Sequence, residues 1–339
     1  MDRPRLLNRR NVLGLGAAAA ATLVTPGCSR GKSNEPAPAG PAKIATGNPD
    51  GVYAIYGAGL ANLVTEVTGV RMDAVPTEGS VQNLRMLDRG TVDIAFSLSD
   101  SALDAFEGKE SFSSGALRFN ALARVYDNYV HVVVPTASKI STLADLAGKV
   151  VSVGPKLSGT KVVADRIIAK AGIDGSNPKL KPVRTVNYNL VTAVKMLKAK
   201  AENPNVPNGI DALIWSGGLP TTPIKELQST IGFRLVDIGV TANAIAQQRF
   251  GGYVLSSIPP SIYSLASAVP TLAVPNYLLA KRGLSDSWAW WTLNTMFRRQ
   301  ADLMKVHPEA GSLDARSAIA TMPIPLHPAA ERWYRTNHI

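Results

Sequence analysis

Residues 77–100, "TEGSVQNLRMLDRGTVDIAFSLSD", contain the pattern that decides the fold. The Gly-Ser pair at 79–80, followed by an amphipathic run that stops at Gly90, predicts the start and the end of a helix. The next run, "VDIAFS", alternates as a strand does. The run "SDSALDAFEG" then predicts a second helix, capped by Ser99 or Asp100. A strand between two helices indicates an α/β fold.

The same alternation of strands and helices continues in both directions. Upstream, a strand at 43–46 is followed by a helix from Val52 to about Gly69 and by the strand "VRMDAVP". Downstream, "HVVVP" has the continuous apolar run of a buried parallel strand. Further strands and helices follow it, namely "KVVSVG", "GTKVVADRIIAKAG", "VRTVN", "NLVTAVKMLKAKA", "IDALIWS" and "TLAVPNYLLA". A last helix is predicted from Ser285 to about Val306, with its aromatic stripe packed in the core. The pattern predicts a doubly wound α/β sheet.

The N-terminus has the features of an export signal, which we assign to residues 1–28. Basic residues precede an apolar run, Val12 to Val24, that is short for a membrane span. The motif "NRRNVLG" resembles a twin-arginine signal. Cys28, the only cysteine of the chain, stands where bacterial lipoproteins are cleaved and acylated, so we predict lipidation there. The alternative is a plain secretory signal with an incidental cysteine. The Pro- and Ala-rich residues 29–42 predict a flexible tether.

Composition limits the classes of function. The chain has 339 residues, 45% hydrophobic and 18% charged, enough for two globular domains. Without residues 1–27, which hold four Arg and one Asp, the net charge falls from +11 to +8. The Lys and Arg residues are scattered without interleaved aromatics, so we expect no nucleic-acid partner.

The sequence contains no motif that fits catalysis, metal binding or nucleotide binding. The four histidines lie far apart in sequence, which leaves a metal site without support. "GCSRG" matches a nucleophile motif but spans the predicted cleavage point. "GPKLSGTK" inverts the Lys and Thr that a P-loop requires. We therefore predict no catalytic residues, no metal and no cofactor.

Two predicted helix starts remain, "GSVQN" and "GPKLSGT", each after a predicted strand. We expect Ser80 and Ser158 to cap these helices and to contact a ligand. Helix N-termini attract anions through free N–H groups and the helix dipole. If the two starts face each other across a cleft between lobes, they form a clamp for an anionic solute. Each motif alone is also compatible with an ordinary capped helix.

Several long segments in order resemble the TAXI-type solute receptors of TRAP transporters, which have the type II periplasmic-binding-protein fold. The segments are "ATGNPDGVYAIYGAGLANLV", "TEGSVQNLRMLDRGTVDIAFSLSD", "STLADLAGKVVSVGPKLSGT", "IDALIWSGGLPTTPI" and "MPIPLHPAAERWY". The resemblance implies a monomeric receptor that captures a small organic acid or amino acid, such as a glutamate- or 2-oxoglutarate-like solute. It also implies delivery of the solute to ion-driven membrane subunits.

The resemblance implies ligand-binding residues from both lobes: Thr46, Gly47, Val52, Tyr53, Gly79, Ser80, Asn83, Ser158, Gly159, Thr160, Ser216, Gly217 and Gly218. Three features depart from the family pattern. Glu78 replaces a usual Gly, and "VYDNYVH" lacks the usual Pro-Glu. Leu98 replaces a polar amide, which would suit a less polar solute.

We thus expect a two-lobe α/β protein with a ligand cleft between the lobes. Lobe I is predicted to comprise 43–130 and 265–339, and lobe II 131–264. The protein would be exported and anchored by lipid to the outer face of the cytoplasmic membrane. Two alternatives remain open, an exported enzyme on the same scaffold and a surface-tethered interaction protein.

Overall fold

The computed structural model describes residues 35–49, 51–248 and 251–337. The predicted export signal with Cys28 and the first part of the tether lie outside these residues. The last part of the predicted tether contacts the folded unit. Glu35 forms an ion pair with Arg332 at 3.1 Å, and the indole of Trp291 donates to the Pro36 carbonyl at 2.9 Å.

Ten strands form one mixed sheet in the described part of the chain. The strands are β1 Ala42–Ala45, β2 Met72–Val75, β3 Ile94–Leu98, β4 Phe119–Pro135, β5 Val150–Ser152, β6 Arg184–Val186, β7 Ala212–Gly217, β8 Phe233–Leu235, β9 Val254–Ile258 and β10 Val269–Lys281. The helices are α1 Val52–Thr68, α2 Ser80–Asp88, α3 Ser99–Glu107, α4 Gly159–Lys170, α5 Leu190–Glu202, α6 Thr222–Lys225, α7 Gly239–Gln248, α8 Pro260–Tyr263, α9 Asp286–Arg298, α10 Gln300–Val306, α11 Ala315–Ala318 and α12 Pro328–Thr336. Short 3₁₀ turns lie at Glu110–Phe112, Leu143–Leu146, Glu226–Ser229 and Pro308–Ser312.

The two long antiparallel strands β4 and β10 connect the two halves of the sheet. The strand order is β2-β1-β3-β10-β4-β7-β5-β6, with β8 on β4 and β9 on β10. The C-terminal part of β10 pairs with β3 and with the start of β4, whereas its N-terminal part pairs with β9. The end of β4 pairs with β7 and β8. These pairings of "HVVVP" are antiparallel, so the predicted parallel strand is wrong. A strand that is buried on both faces has a continuous apolar sequence, whether its neighbours are parallel or antiparallel to it.

Four hydrophobic clusters cover both faces of the two sheet halves. In the first half, one cluster packs under α1, α9 and α12, and another packs under α2 and α3. In the second half, one packs under α4 and α7, and another under α5 and α8. Along β7, Ala212 and Ile214 face one cluster, and Leu213 and Trp215 face the other. Strands buried on both faces need continuous apolar runs. The predicted two-lobe α/β fold is thereby confirmed.

Helix ends agree with the sequence where glycine defines them. Gly69, Gly90 and Gly108 all have left-handed φ after α1, α2 and α3. The predicted cap of α3 is wrong, because Leu98 occupies the N-cap position and makes no side-chain bond there. The predicted helix from Ser285 to Val306 is interrupted at Arg299, which separates α9 from α10.

No helix in the described ranges is both long and apolar enough to cross a membrane.

Candidate ligand-binding site

Four helices of nine or more residues begin at the wall of one cavity, α1, α2, α4 and α5. The cavity has an empty volume of about 730 Å³, which includes its open mouth. Eleven of the thirteen predicted ligand-binding residues line it, namely Gly47, Val52, Tyr53, Gly79, Ser80, Ser158, Gly159, Thr160, Ser216, Gly217 and Gly218. The structure brings these residues together from both halves of the sheet. Ligand binding by them stays a prediction.

The start of α2 differs from its predicted geometry. Gly79 is the N-cap residue, and its φ of 127° is accessible to glycine alone among the common residues. Ser80 is therefore the first helical residue and not the cap. Its Oγ accepts from the Leu98 N–H at 3.0 Å. The prediction that Ser80 caps the helix is wrong.

The start of α4 has the predicted cap. Ser158 Oγ accepts from the Lys161 N–H at 3.1 Å and donates to the Pro155 carbonyl at 2.8 Å. Thr160 Oγ1 accepts from the Ser216 N–H at 3.3 Å, which ties α4 to the end of β7. These hydroxyls position the wall, and the free N–H groups in the first turn of a helix are suited to bind an anion.

Thr46 and Asn83 lie behind the wall rather than on it. Asn83 is fully buried, and its Nδ2 donates to the Thr46 carbonyl at 2.6 Å and to the Phe96 carbonyl at 2.8 Å. Thr46 Oγ1 donates to the Val75 carbonyl at 3.0 Å. Their side chains hold the loop that carries Gly47 and do not face the cavity.

Three buried polar atoms on the cavity wall have no hydrogen-bond partner among the described residues. They are the hydroxyls of Tyr126 and Ser216 and the Oδ1 of Asn128. Leaving such groups unpaired is costly, and a polar solute in the cavity would satisfy them. The prediction included Ser216 but missed Tyr126 and Asn128. The only signal for them is the polar interruption "YDNY" between two apolar parts of β4.

Other lining residues add shape and charge. Leu98, Leu190, Trp215 and Pro220 supply apolar surface. Glu78 is the one formally charged side chain at neutral pH among the described lining residues, and they include no Lys or Arg. Burial raises the pKa of the side-chain hydroxyls of Tyr53 and Tyr126, so both hydroxyls stay neutral.

The two walls touch each other directly at the helix starts. Glu78 Oε2 accepts from the Leu157 N–H at 2.8 Å, and the Leu157 carbonyl accepts from the Gln82 N–H at 3.1 Å. A Cβ on Gly159 would lie 2.6 Å from Leu98 Cδ1. The walls therefore meet without room for an extra methyl group.

A buried ion-pair cluster also joins the two halves. Arg166 of α4 binds Asp100 of α3 at 2.8 Å, and it also binds Asp104. The hydroxyl of Tyr253 donates to the same Asp100 carboxylate at 2.7 Å. Nearby carboxylates raise the pKa of Arg166 against the opposing effect of burial. Arg166 stays charged, and its ion pairs fix α4 against α3.

Among the described residues, no group of three or more His, Cys, Asp or Glu side chains is placed to hold a metal ion.

Residues 44–337 match the NMT1-like family, so the chain belongs to that family. Several solved structures are similar to it at low identity. The alkanesulfonate-binding protein SsuA from Xanthomonas axonopodis pv. citri, bound to MOPS, has 17% identity and a TM-score of 0.47, with 89% of this chain and 85% of that chain covered. An ancestral arginine-binding protein bound to arginine has 13% identity and a TM-score of 0.47, with 80% and 98% covered. A putative L-cystine ABC transporter from Listeria monocytogenes has 14% identity and a TM-score of 0.47, with 83% and 99% covered.

Proposed function

We propose that this protein is an extracytoplasmic solute-binding receptor that captures a small carboxylate. One observation carries the proposal: the starts of four helices and three unpaired buried polar atoms meet at one cavity. Helix starts supply N–H donors and the positive end of the dipole. A carboxylate has the acceptors that these donors and the hydroxyls of Tyr126 and Ser216 require.

The sequence resemblance extends this proposal to a TAXI-type receptor of a TRAP transporter. In that role, the protein would pass its solute to ion-driven membrane subunits, with Cys28 as the lipid anchor. We place lobe I at 43–130 and 265–339, and lobe II at 131–264, because the chain passes between the sheet halves only along β4 and β10 in the described residues. The cavity would then lie between lobes that can separate.

Calorimetric titration of the purified protein with a panel of amino acids, monocarboxylates and dicarboxylates tests the proposal. We expect at least one carboxylate to bind and to be recovered unchanged. A chemically altered product would favour an enzyme on the same scaffold. Binding of no carboxylate would contradict the proposal and favour an interaction protein.

Two pairs of matched variants test whether this cavity is the site. Tyr126→Phe and Ser216→Ala each remove an unpaired hydroxyl from the cavity wall. Tyr56→Phe and Ser152→Ala each remove an unpaired buried hydroxyl that does not line the cavity. A lost hydrogen bond to a charged group costs about 1.5–3 kcal/mol, which is at least tenfold in Kd. We expect that loss in the first pair only. Equal affinities in both pairs would place the site elsewhere.

A further inference from the structure

The charge of the cavity limits how many carboxylates its solute can have. Glu78 stands at the start of α2, and its carboxylate binds the Leu157 N–H just before α4. This negative charge partly cancels the positive ends of the same two helices. The described lining residues include no Lys or Arg, and burial lowers the pKa of His307, so a second carboxylate would find no cationic side chain there to offset its repulsion by Glu78.

Asn128 indicates which chemical group of the solute lies beside the solute's carboxylate. Its Nδ2 donates to the Ser216 carbonyl at 3.4 Å. The opposite orientation of the amide would place Oδ1 against that carbonyl oxygen, so the contact leaves Oδ1 as the unbonded atom. Oδ1 has no partner in the described chain, and Asn128 lines the cavity as a residue that is only 7% exposed. A donor group on the solute would satisfy this acceptor.

We propose that the solute is a zwitterionic α-amino acid with an uncharged, mainly apolar side chain. This inference rests on the proposed function and narrows it. The carboxylate binds at the helix starts, the ammonium group donates to Asn128 Oδ1, and the side chain packs on Leu98 and Leu190. The site discriminates against 2-oxo acids, which have an acceptor where the ammonium stands. It also discriminates against dicarboxylates, which add a second negative charge near Glu78.

Two pairs of probes test these statements on the unmodified protein. L-leucine and 4-methyl-2-oxopentanoate share one carbon skeleton and differ at the α-position. L-glutamine and L-glutamate have the same shape and differ by one carboxylate charge. Calorimetry at neutral pH should show the first member of each pair binding at least tenfold more tightly. If either second member binds as tightly as its partner, this inference is wrong while the receptor proposal stands. If no probe and no other carboxylate binds, the receptor proposal itself fails.

Variants assign the discrimination to particular residues. Asn128→Leu should weaken leucine binding at least tenfold and change oxo-acid binding less than threefold, whereas Asn128→Asp keeps the acceptor and the preference for leucine. Glu78→Gln should reduce the preference for glutamine over glutamate at least threefold, and the exposed control Glu110→Gln should not change it. Unchanged preferences in both Asn128→Leu and Glu78→Gln would overturn the assignment. The wild-type probe pairs decide the inference even if a variant does not fold.

Discussion

Adding one methyl group at Gly159 should separate the two cavity walls. Its Cβ would lie 2.6 Å from Leu98 Cδ1, 2.7 Å from Ser80 Oγ and 2.9 Å from Leu98 Cγ. The closest approach is roughly 1 Å short of favourable carbon–carbon contact. Leu98 cannot simply rotate away, because it is 2% exposed, and Ser80 is held by its bond to the Leu98 N–H.

The expected size of the effect follows from the cost of overpacking. Extra methylene groups in a packed interior cost about 1–3 kcal/mol. Gly159 is the first residue of α4, where alanine is a better helix former than glycine, so α4 itself should not be weakened. The free-energy cost should therefore destabilise the conformation in which the two cavity walls touch. A cost of this size corresponds to about fivefold to 150-fold weaker solute binding.

A double-mutant cycle distinguishes this cause from a general loss of stability. Calorimetry would use the tightest-binding carboxylate of the panel, with thermal melting of the solute-free protein beside it. In the Leu98→Ala background, which lacks two of the three close atoms, Gly159→Ala should cost less affinity than in the wild type. Gly311→Ala is the control, because its Cβ would meet only the end of the exposed Met304 side chain. Wild-type affinity in Gly159→Ala, or an equal loss in both backgrounds, would refute the reasoning.

Three further perturbations test features outside the cavity, namely a buried ion pair, a buried histidine and the predicted lipid anchor. Arg166→Met leaves the buried Asp100 carboxylate without its cation and should cost about 3–5 kcal/mol of stability, whereas Lys161→Met on the same helix breaks an exposed pair and should cost less than about 1 kcal/mol in chemical denaturation. Burial lowers the pKa of His131 to about 4 from 6.5, so the unfolded chain binds its proton first, and stability should fall by roughly 3 kcal/mol as pH drops from 6.5 to 4; a smaller fall in His131→Phe would confirm this source, and an identical pH profile would exclude it. Cys28→Ala should abolish membrane association in fractionation while melting is unchanged, and wild-type fractionation would rule out the lipid anchor.

Local backbone signals explain how much of the site the sequence predicted. The helix starts at Gly79 and Ser158 could be predicted from the sequence. The first N–H groups of a helix have no acceptor within the helix, so glycine and serine are preferred just before it. The predicted residues from four separate segments therefore meet at one cavity. The role of Ser80 was wrong because Gly79 takes the N-cap position through its positive φ. Adjacent Gly and Ser residues do not reveal which of them is the cap.

The side chains from β4 could not be predicted in the same way. Tyr126 and Asn128 lie where β4 passes between the sheet halves, and β10 has a register shift nearby, at Asn276 and Tyr277. Which residues of such a strand face a cavity depends on its pairing with strands that are distant in sequence. The predicted strand began only at His131, so this part of the wall was not recognised.

The division between backbone and side chains explains why a motif can predict a site without predicting its solute. The N–H groups at the starts of α1, α2, α4 and α5 are present whatever side chains follow them, so they favour any anion of suitable size. The unpaired atoms of Tyr126, Asn128 and Ser216 and the charge of Glu78 come from side chains, so single substitutions can change them. Under the proposed function, residues that preserve a helix start would preserve the anion site, while substitutions on β4 and at position 78 would select a different solute. Affinity for the carboxylate should accordingly respond to closure of the walls, and discrimination between solutes should respond to Asn128 and Glu78.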